Sequence, residues 1–389
     1  MNNVNDVFQD HISRSHTITS LPKGEKAFII DGNATLHQQV TIPDTFGALA
    51  ENVFNAMPIQ KHTRIDFVTD SPKLLSIKDL SRNSCGIGKS KEFLITSPLT
   101  KVPSYWKELL HHNSNKEQII RLLLNEWKKD KYAPRLHTIN LYFALGTKCF
   151  ILSSSDGKNP LCETCDNLAS EQEEAAPRMI THLFDILQEK EDMSVVVRSS
   201  DTAVECLLLH YYTVYGMKGI VIMDSGAMVS VTIEGLLISI VWRKILVLSS
   251  LIGWHYYTGS DTTSAFVRRG KLRPWKLLIK FPQYMPAFAQ LGMCDTLDDK
   301  YVVILEEFHC KIYGDHKEKS TNKFRYKRFI KSYTPKSSLL STSCGTDASL
   351  LPPCSSSVRQ HIRLINYQCY ISKNAARPLL DIPDPCLHG

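Results

Sequence analysis

The chain has 389 residues, of which 43% are hydrophobic and 22% are charged. This balance is typical of a globular protein and excludes a disordered or collagen-like chain. The net charge of +7 permits a polyanionic partner without requiring one.

Short apolar runs that end at turn-forming residues are typical of buried strands, whereas apolar residues at helical spacing indicate helices. Strands are predicted over 27–30, 64–69, 194–198 and 219–223, with one or two more within 138–152. Helices are predicted over 43–59, 109–129, 171–188 and 204–212. This alternation predicts an α/β protein with a central, mainly parallel sheet.

Composition divides the chain into four predicted regions. Residues 1–25 are expected to be a weakly ordered leader, and 26–315 hold the predicted strands and helices of one domain. Residues 316–358 are basic and then rich in Ser and Pro, which is typical of a linker, and 359–389 form a short tail. The run 311–331 has eight Lys or Arg residues and two acids. It is compatible with nucleic-acid binding, a nuclear-localisation signal or a solvated tail.

The sequence carries no export or membrane signal. Met1 to Asp10 is polar and acidic, so we expect an intracellular protein, nuclear or cytoplasmic, that is not secreted. The most apolar stretch, Val229 to Ile252, contains Glu234, Arg243 and Lys244. Charges in mid-bilayer are costly, so this stretch is predicted to be buried core and no membrane partner is expected.

Aspartates follow three of the predicted strands. Asp31, Asp70 and Asp201 each lie just past an apolar run. Because the carboxyl ends of parallel strands line one edge of a sheet, where ligands bind, we expect these side chains to converge. Converging carboxylates suit Mg²⁺ or Mn²⁺, and two such ions catalyse phosphodiester cleavage. The alternative is that each aspartate only forms a turn or caps a helix.

Five motifs in order resemble the flap-endonuclease (XPG-type) branch of the PIN-like nuclease superfamily, in particular transposon-associated animal proteins with such a domain. Coverage extends from about residue 26 to 315. The motifs are Phe28-Ile-Ile-Asp-Gly-Asn-Ala-Thr-Leu-His37, Val68-Thr-Asp70 with Ser76-Ile-Lys78, Glu173-Glu-Ala-Ala176, Ser199-Ser-Asp-Thr-Ala203 and Thr258-Gly-Ser-Asp-Thr262.

The resemblance implies a three-layer α/β sandwich with helices on both faces of the sheet. It also implies two divalent ions, Mg²⁺ or Mn²⁺, and hydrolysis of nucleic-acid phosphodiesters, with DNA as the expected partner. The positions that match the catalytic, metal-binding acids of the family are Asp31, Asp70, Glu174, Asp201 and Asp261.

Two positions depart from the family pattern. Ala176 and Ala203 stand where the family has carboxylates, and alanine cannot bind a metal. The sequence therefore leaves open whether the protein is a structure-selective nuclease or a catalytically inactive module that binds nucleic acid or protein. A remnant of a mobile element without activity is a third reading.

Asp66 is a rival to Asp70 for the second metal-binding position. Asp70 directly ends the predicted strand and lies eight residues before Lys78, as in the family. Asp66 lies inside the strand, so a structural role is predicted for it.

Two basic segments match parts of the family that contact nucleic acid. Lys78 and Arg82 lie where the family has an arch over the scissile phosphate, and an ordinary charged surface helix is the alternative. Arg269, Gly270 and Lys271 match a Gly-Lys turn that grips the duplex backbone. A solvated basic loop is the alternative there, and the residues from Asp261 onward are also a good helix opening.

Two further patterns are set aside. Gly88-Lys89-Ser90 resembles the end of a phosphate-binding loop, but Asn83 occupies the position of the required glycine. Cys162 and Cys165 have zinc-like spacing without a second pair of ligands nearby, so structural thiols are predicted.

Overall fold

The structure is a computed structural model of the chain. It describes residues 17–18, 25–59, 63–71, 92–190, 193–214, 216, 219–225, 230–232, 245–332 and 348–377. The chain divides into two compact units. The sheet unit comprises Ile12–Ile240 and Asn374–Ile382, and the helical unit comprises Met1–His11, Val241–Lys373 and Pro383–Gly389. The predicted 26–315 domain therefore includes parts of both units.

The described residues of the sheet unit form a sheet of nine strands in the order β1-β9-β8-β7-β2-β3-β4-β5-β6. The strands are β1 (Thr17–Ile18), β2 (Lys26–Asp31), β3 (Thr63–Val68), β4 (Ile139–Leu145), β5 (Lys148–Ser153), β6 (Leu161–Thr164), β7 (Ser194–Arg198), β8 (Ile220–Asp224) and β9 (Ser230–Thr232).

The five central strands are parallel to one another, and antiparallel pairs flank them on both sides. In β2, Phe28 is paired with Ile65 of β3 and with Val196 of β7. The predicted mainly parallel α/β sheet is thus confirmed. The runs that form β2, β3 and β7 are almost fully covered, as is typical of central strands in parallel sheets.

The helices of the sheet unit are α1 (Gly32–His37), α2 (Phe46–Asn55), α3 (Trp106–Leu109), α4 (Asn113–Trp127), α5 (Ala133–Leu136), α6 (Ala175–Glu189) and α7 (Thr202–Val214). The helices of the helical unit are α8 (Ile245–Tyr257), α9 (Leu272–Lys280), α10 (Met285–Gln290), α11 (Asp299–Tyr313), α12 (Thr321–Ser332) and α13 (Ser355–Lys373).

Helices cover both faces of the sheet, which confirms the three-layer sandwich. Phe28 and Ile30 point to the face packed by α2 and α4, in a core that includes Phe54 and Trp127. On the opposite face, α6 packs on β2 and β3, and its His182 bonds to a β3 carboxylate. Side chains alternate along a strand, so each central strand contributes to both cores.

The helical unit differs from the predicted linker and tail. Helix α12 lies within the predicted linker, where Thr321 and Phe324 are buried, and Glu306 of α11 accepts hydrogen bonds from Thr321. Helix α13 begins within the predicted linker at Ser355 and extends through much of the predicted tail to Lys373, with Ile362 and Ile365 buried. The composition of the region concealed these helices, because α12 is rich in basic residues and α13 opens with three serines. Among the described residues, no helix is both long and apolar enough to cross a membrane.

Candidate functional site

The candidate site lies at the point of the sheet where the strand order reverses. From β2 the chain continues to β3 on one side, and from β7 it continues to β8 on the other. The crevice beyond the carboxyl ends of two such strands is where ligands bind in open α/β sheets. Asp31 ends β2, and Ser199 follows β7, so the sequence places polar groups on both sides of this crevice.

Asp31 is held in a fixed orientation by the protein. One carboxylate oxygen accepts the Ala34 N–H at 2.9 Å, which caps α1, and the other accepts the Ser199 hydroxyl at 2.8 Å. Gly32 permits the turn into the helix, because a Cβ at that position would lie 2.6 Å from the Phe67 ring. The Asp-Gly pair therefore places a buried carboxylate at the crevice.

The electrostatic environment of Asp31 is unfavourable to its own charge. The pKa of the Asp31 carboxyl is raised to about 6, mainly by burial and to a smaller extent by the nearby charges of Asp70 and Asp201. The hydrogen bonds from Ala34 and Ser199 oppose this rise without cancelling it. The charges of Asp70 and Asp201 therefore act on Asp31 at this edge, where their positions after the strands predict that the three side chains converge.

Asp70 and the start of α6 lie together. The Asp70 carboxylate accepts the Ala175 N–H at 2.8 Å, and the Ser71 N–H donates to the Glu173 carbonyl at 2.7 Å. Glu174 is the residue immediately before α6. The structure thus brings the second and third acidic motifs into direct contact, although they are more than 100 residues apart (a separation of 105 for Asp70 and Ala175).

Asp201 reaches the site through Ser199. The Ser199 hydroxyl that donates to Asp31 accepts the Asp201 N–H at 3.1 Å. The Asp201 carboxylate accepts the Ala203 N–H at 2.8 Å and is exposed. Ser199 therefore links the first and fourth acidic motifs, and its hydroxyl is a positioning group that the motif comparison did not single out.

A pocket of about 70 Å³ lies beside these acids, with room for a few water molecules or a hydrated ion. Lys116, in the first turn of α4, brings a positive charge to the same pocket as Glu173 and Glu174. The pocket is lined by Asn33, Asp70, Ser71, Asn113, Lys116, Glu117, Ile120, Leu145, Gly146, Glu173 and Glu174.

The carboxylate oxygens of Asp31, Asp70, Glu174 and Asp201 are chemically suitable ligands for a hard divalent cation. Carboxylate oxygens are the preferred ligands of Mg²⁺ and Mn²⁺, and a cation would offset the like charges that raise the Asp31 pKa. As placed, no three acidic, histidine or cysteine side chains among the described residues surround one point closely enough to hold an ion. The side chains would have to close around it.

The two departures from the family pattern are buried methyl groups. Ala176 is 5% exposed in the first turn of α6, and Ala203 is 8% exposed in the first turn of α7. Both follow acids of the site closely in the chain. The places where the family has two further carboxylates are therefore filled by side chains that cannot hold an ion.

Asp261 belongs to the helical unit, whereas the other four predicted acids belong to the sheet unit. It is exposed and does not open a helix. Ser260 accepts the Thr262 and Thr263 N–H groups instead, and the next helix begins at Leu272. The predicted helix opening at Asp261 is therefore wrong, because the serine before it satisfies the amides within a bend.

Asp66 has the structural role predicted for it. It is fully buried on β3 and accepts two hydrogen bonds from Arg64, both at 2.9 Å, and one from His182 at 2.7 Å. Arg64 also donates to Asp185 and Glu189 of α6. This network connects β3 to α6. It lies on the face of the sheet opposite the core that includes Phe54 and Trp127.

Lys271 does not have the role that the Gly-Lys turn implies. Its ammonium donates to the carbonyls of His255 and Gly259, at 2.8 and 2.6 Å, and to the Thr258 hydroxyl at 3.2 Å. Its three donors thus satisfy the end of α8, where cations are favoured. Gly270 is exposed with open space around it.

Of the remaining sequence predictions, only the cysteine pair lies within the described residues. Lys78 and Arg82 lie outside the described residues, as does Gly88-Lys89-Ser90. Cys162 lies in an exposed edge strand and Cys165 directly follows it, and both are free thiols. The structural-thiol interpretation of the pair is consistent with this placement.

The sequence reasoning missed Asn113, Lys116 and Glu173 as lining residues of the pocket. Asn113 and Lys116 open α4, whose apolar pattern predicted the helix without indicating which end faces the crevice. Glu173 was part of a quoted motif but was not carried over as a ligand. Only the fold brings these residues beside Asp70.

No family model matches the chain, and no curated protein is significantly similar to it.

Proposed function

We propose that the protein is a divalent-cation-dependent nuclease that hydrolyses nucleic-acid phosphodiesters, with DNA as its substrate. The observation that carries the proposal is that Asp31, Asp70 and Asp201 lie close together at the carboxyl edge of the sheet. Ser199 links Asp31 to Asp201 by hydrogen bonds, and the charges of Asp70 and Asp201 act on Asp31. The resemblance of the five motifs to the flap-endonuclease branch of the PIN-like superfamily supports the same assignment.

Asp31, Asp70 and Asp201 are the residues that would hold Mg²⁺ or Mn²⁺, with Glu174 beside them. A bound divalent cation supplies an activated water and stabilises the leaving oxygen. The protein contributes the orientation of the acids. Backbone N–H groups of Ala34 and Ala175 each hold one carboxylate oxygen of Asp31 and Asp70, which limits how far these side chains must move to close around an ion.

Lys116 completes the proposed site. Lys116 lines the same pocket as Asp70 and Glu174, where its positive charge would attract the phosphate that the acids alone would repel. A site with both signs of charge can bind a metal and a phosphodiester together. Because Lys116 has partners within the protein, its contribution is to exchange them for a phosphate oxygen.

The second candidate function is nucleic-acid binding without hydrolysis. It is favoured by Ala176 and Ala203, which leave fewer carboxylates than two ions require in the family pattern. Two-metal chemistry depends on both ions to stabilise attacking and leaving oxygens. A site with one ion or none would keep the fold and the basic surfaces while losing catalysis.

The test is cleavage of labelled single-stranded, duplex and 5′-flap DNA in Mg²⁺ and in Mn²⁺. We expect the wild type to cleave at least one substrate. The Asp31→Asn variant should lose more than about 100-fold in rate, the most that outer-shell residues alone usually cause. Asp130→Asn is the matched control, because Asp130 is an exposed acid outside the site.

Equal cleavage by the wild type and by Asp31→Asn would contradict the proposal. Absence of cleavage in either cation, with flap DNA still bound, would establish the second candidate. Absence of both cleavage and binding would contradict both functions.

A further inference from the structure

Three arginine side chains converge at the end of α11 in the helical unit. The Arg269 guanidinium lies 5.0 Å from the centre of the Tyr313 ring. Arg328 donates to the Tyr313 carbonyl at 3.4 Å. An Arg273 guanidinium nitrogen lies 3.6 Å from where a Cβ of Gly314 would stand. Two consecutive residues, Tyr313 and Gly314, are therefore approached by three cations.

No carboxylate offsets this cluster within the part of the chain that the structure describes. The nearest acid in the sequence, Asp315, accepts the N–H groups of Lys317 and Glu318 at 2.9 and 3.0 Å. Glu318 itself pairs with Lys327. The end of α11 supplies roughly half a negative charge, and no carboxylate is among the charges that shift the pKa of Arg269.

The guanidinium of Arg269 is incompletely hydrogen-bonded and lies close to two other cations. Its Nε is buried without a hydrogen-bond partner, and its Nη1 reaches only the Arg268 carbonyl, at 3.3 Å. Arg268 has a φ of 55°, a conformation that favours glycine. Burial, and after it the charges of Arg273 and Arg328, lower the pKa of Arg269.

Contacts within the protein account for part of this arrangement, because Arg269 lies over the Tyr313 ring and Arg328 bonds to the Tyr313 carbonyl. Arg328 satisfies the Tyr313 carbonyl, as cations at helix ends commonly do. Arg273 is exposed and has no ion pair among the described residues. Unpaired guanidinium groups that face one place are typical of sites for anions, and the planar guanidinium matches phosphate oxygens in pairs.

We propose that Arg269, Arg273 and Arg328 form a phosphate-binding site for the backbone of a nucleic acid. The surroundings favour a polyanion over a single small phosphate. Helix α12, which carries Arg328, has four other basic residues and no acid, and its Lys323 and Lys331 are exposed. A basic helix beside a phosphate site is the electrostatic pattern of backbone binding.

This site shares Arg269 with the Gly-Lys turn and otherwise differs from the site that the turn implies. There Lys271 was the expected phosphate ligand, but its ammonium is used within the protein. The inference rests on nucleic acid being the partner in the proposed function, and it does not require that the protein cleave it. Arg273 was not predicted from the sequence to contact nucleic acid, and Arg328 belongs to the basic run 311–331, for which nucleic-acid binding was one of three interpretations.

The test measures binding of a short labelled duplex in EDTA, where metal-dependent cleavage cannot occur. Arg273→Gln removes an exposed charge of the site, and Arg363→Gln removes an exposed charge elsewhere in the helical unit. We expect Arg273→Gln to weaken binding about tenfold and to lower the slope of log affinity against log salt by about 1. Arg363→Gln should leave the affinity nearly unchanged.

Duplexes with and without a 5′-phosphate distinguish the two sources of the phosphate. A larger loss with the 5′-phosphate assigns the site to a strand end, and an equal loss assigns it to the internal backbone. Equal affinities of Arg273→Gln and Arg363→Gln for both duplexes would overturn the proposal. A loss seen only for inorganic phosphate would also overturn it, because the ligand would then not be nucleic acid. Failure of the nuclease assay leaves these results intact.

Discussion

Replacing Asp66 with asparagine is expected to lower the free energy of unfolding by about 3–5 kcal/mol, the usual cost of breaking a buried ion pair. Asp66 is fully buried and accepts hydrogen bonds from both Arg64 and His182. An asparagine side chain would leave the buried guanidinium without its main counter-charge. Urea unfolding followed by circular dichroism measures the change.

Asp185→Asn is the matched control. Asp185 pairs with the same guanidinium at 2.6 Å, but its side chain is 23% exposed. Water can replace its carboxylate, so a loss of about 1 kcal/mol or less is expected. Equal losses for the two variants would show that burial of Asp66 is not what makes the network stabilising.

The same network makes stability fall in acid. Although burial disfavours its charge, Arg64 and His182 hold the pKa of Asp66 below its usual value. The folded state therefore releases this proton more readily than the unfolded state. The contribution of the Asp66 carboxylate to the free energy of unfolding is present above the usual aspartate pKa. It is lost as the pH falls through the lower pKa of the folded state.

If the protein is the proposed nuclease, replacing Ala176 and Ala203 with aspartate is expected to raise the cleavage rate. The double variant Ala176→Asp/Ala203→Asp adds ligands in the first turns of α6 and α7, next to the acids of the site. Each good metal ligand restores part of the charge that holds an ion, so we expect an increase of at least about tenfold in Mg²⁺. The cleavage assay with flap DNA measures it.

The double variant Ala176→Asn/Ala203→Asn is the control, because asparagine has the size of aspartate without its charge. Both positions are nearly buried, so the fold of each variant is verified by circular dichroism before the rates are compared. An equal effect of Asp and Asn, in folded proteins, would contradict the view that these positions lack metal ligands. Addition of Asp31→Asn should abolish the gain.

The positions of three site acids could be predicted because they need only local information. Asp31 and Asp70 end or follow apolar runs, and Asp201 follows another. The parallel sheet then brings the strand ends together. The sequence also indicated correctly that Asp66, inside its strand, is structural.

Other features could not be predicted because they depend on distant parts of the chain. Lys116 belongs to the pocket only because the start of α4 faces the strand ends. Lys271 lies in a local basic pattern, yet its ammonium bonds to the end of α8, up to 16 residues earlier. Arg328 was part of a basic run, and only the packing of α12 shows which of those charges meets Arg269 and Arg273.

Urea unfolding of the wild type and of Asp31→Asn, each with and without Mg²⁺ at pH 8, tests most directly whether Asp31 holds a divalent cation. The Asp31 pKa is raised from 3.8 to about 6. The protonated Asp31 carboxyl therefore contributes its full stabilisation below pH 3.8, and this contribution is lost as the pH rises through about 6. At pH 8 the ionised carboxylate destabilises the folded protein.

Without Mg²⁺, the variant is expected to be more stable than the wild type, by at most roughly 3 kcal/mol, because asparagine keeps the cap of α1 without the charge. Mg²⁺ should then stabilise the wild type, since an ion that binds only the folded state favours folding, and should leave the variant unchanged. If Mg²⁺ stabilises neither protein, or both equally, Asp31 does not hold a divalent cation and the proposed metal-dependent site is wrong.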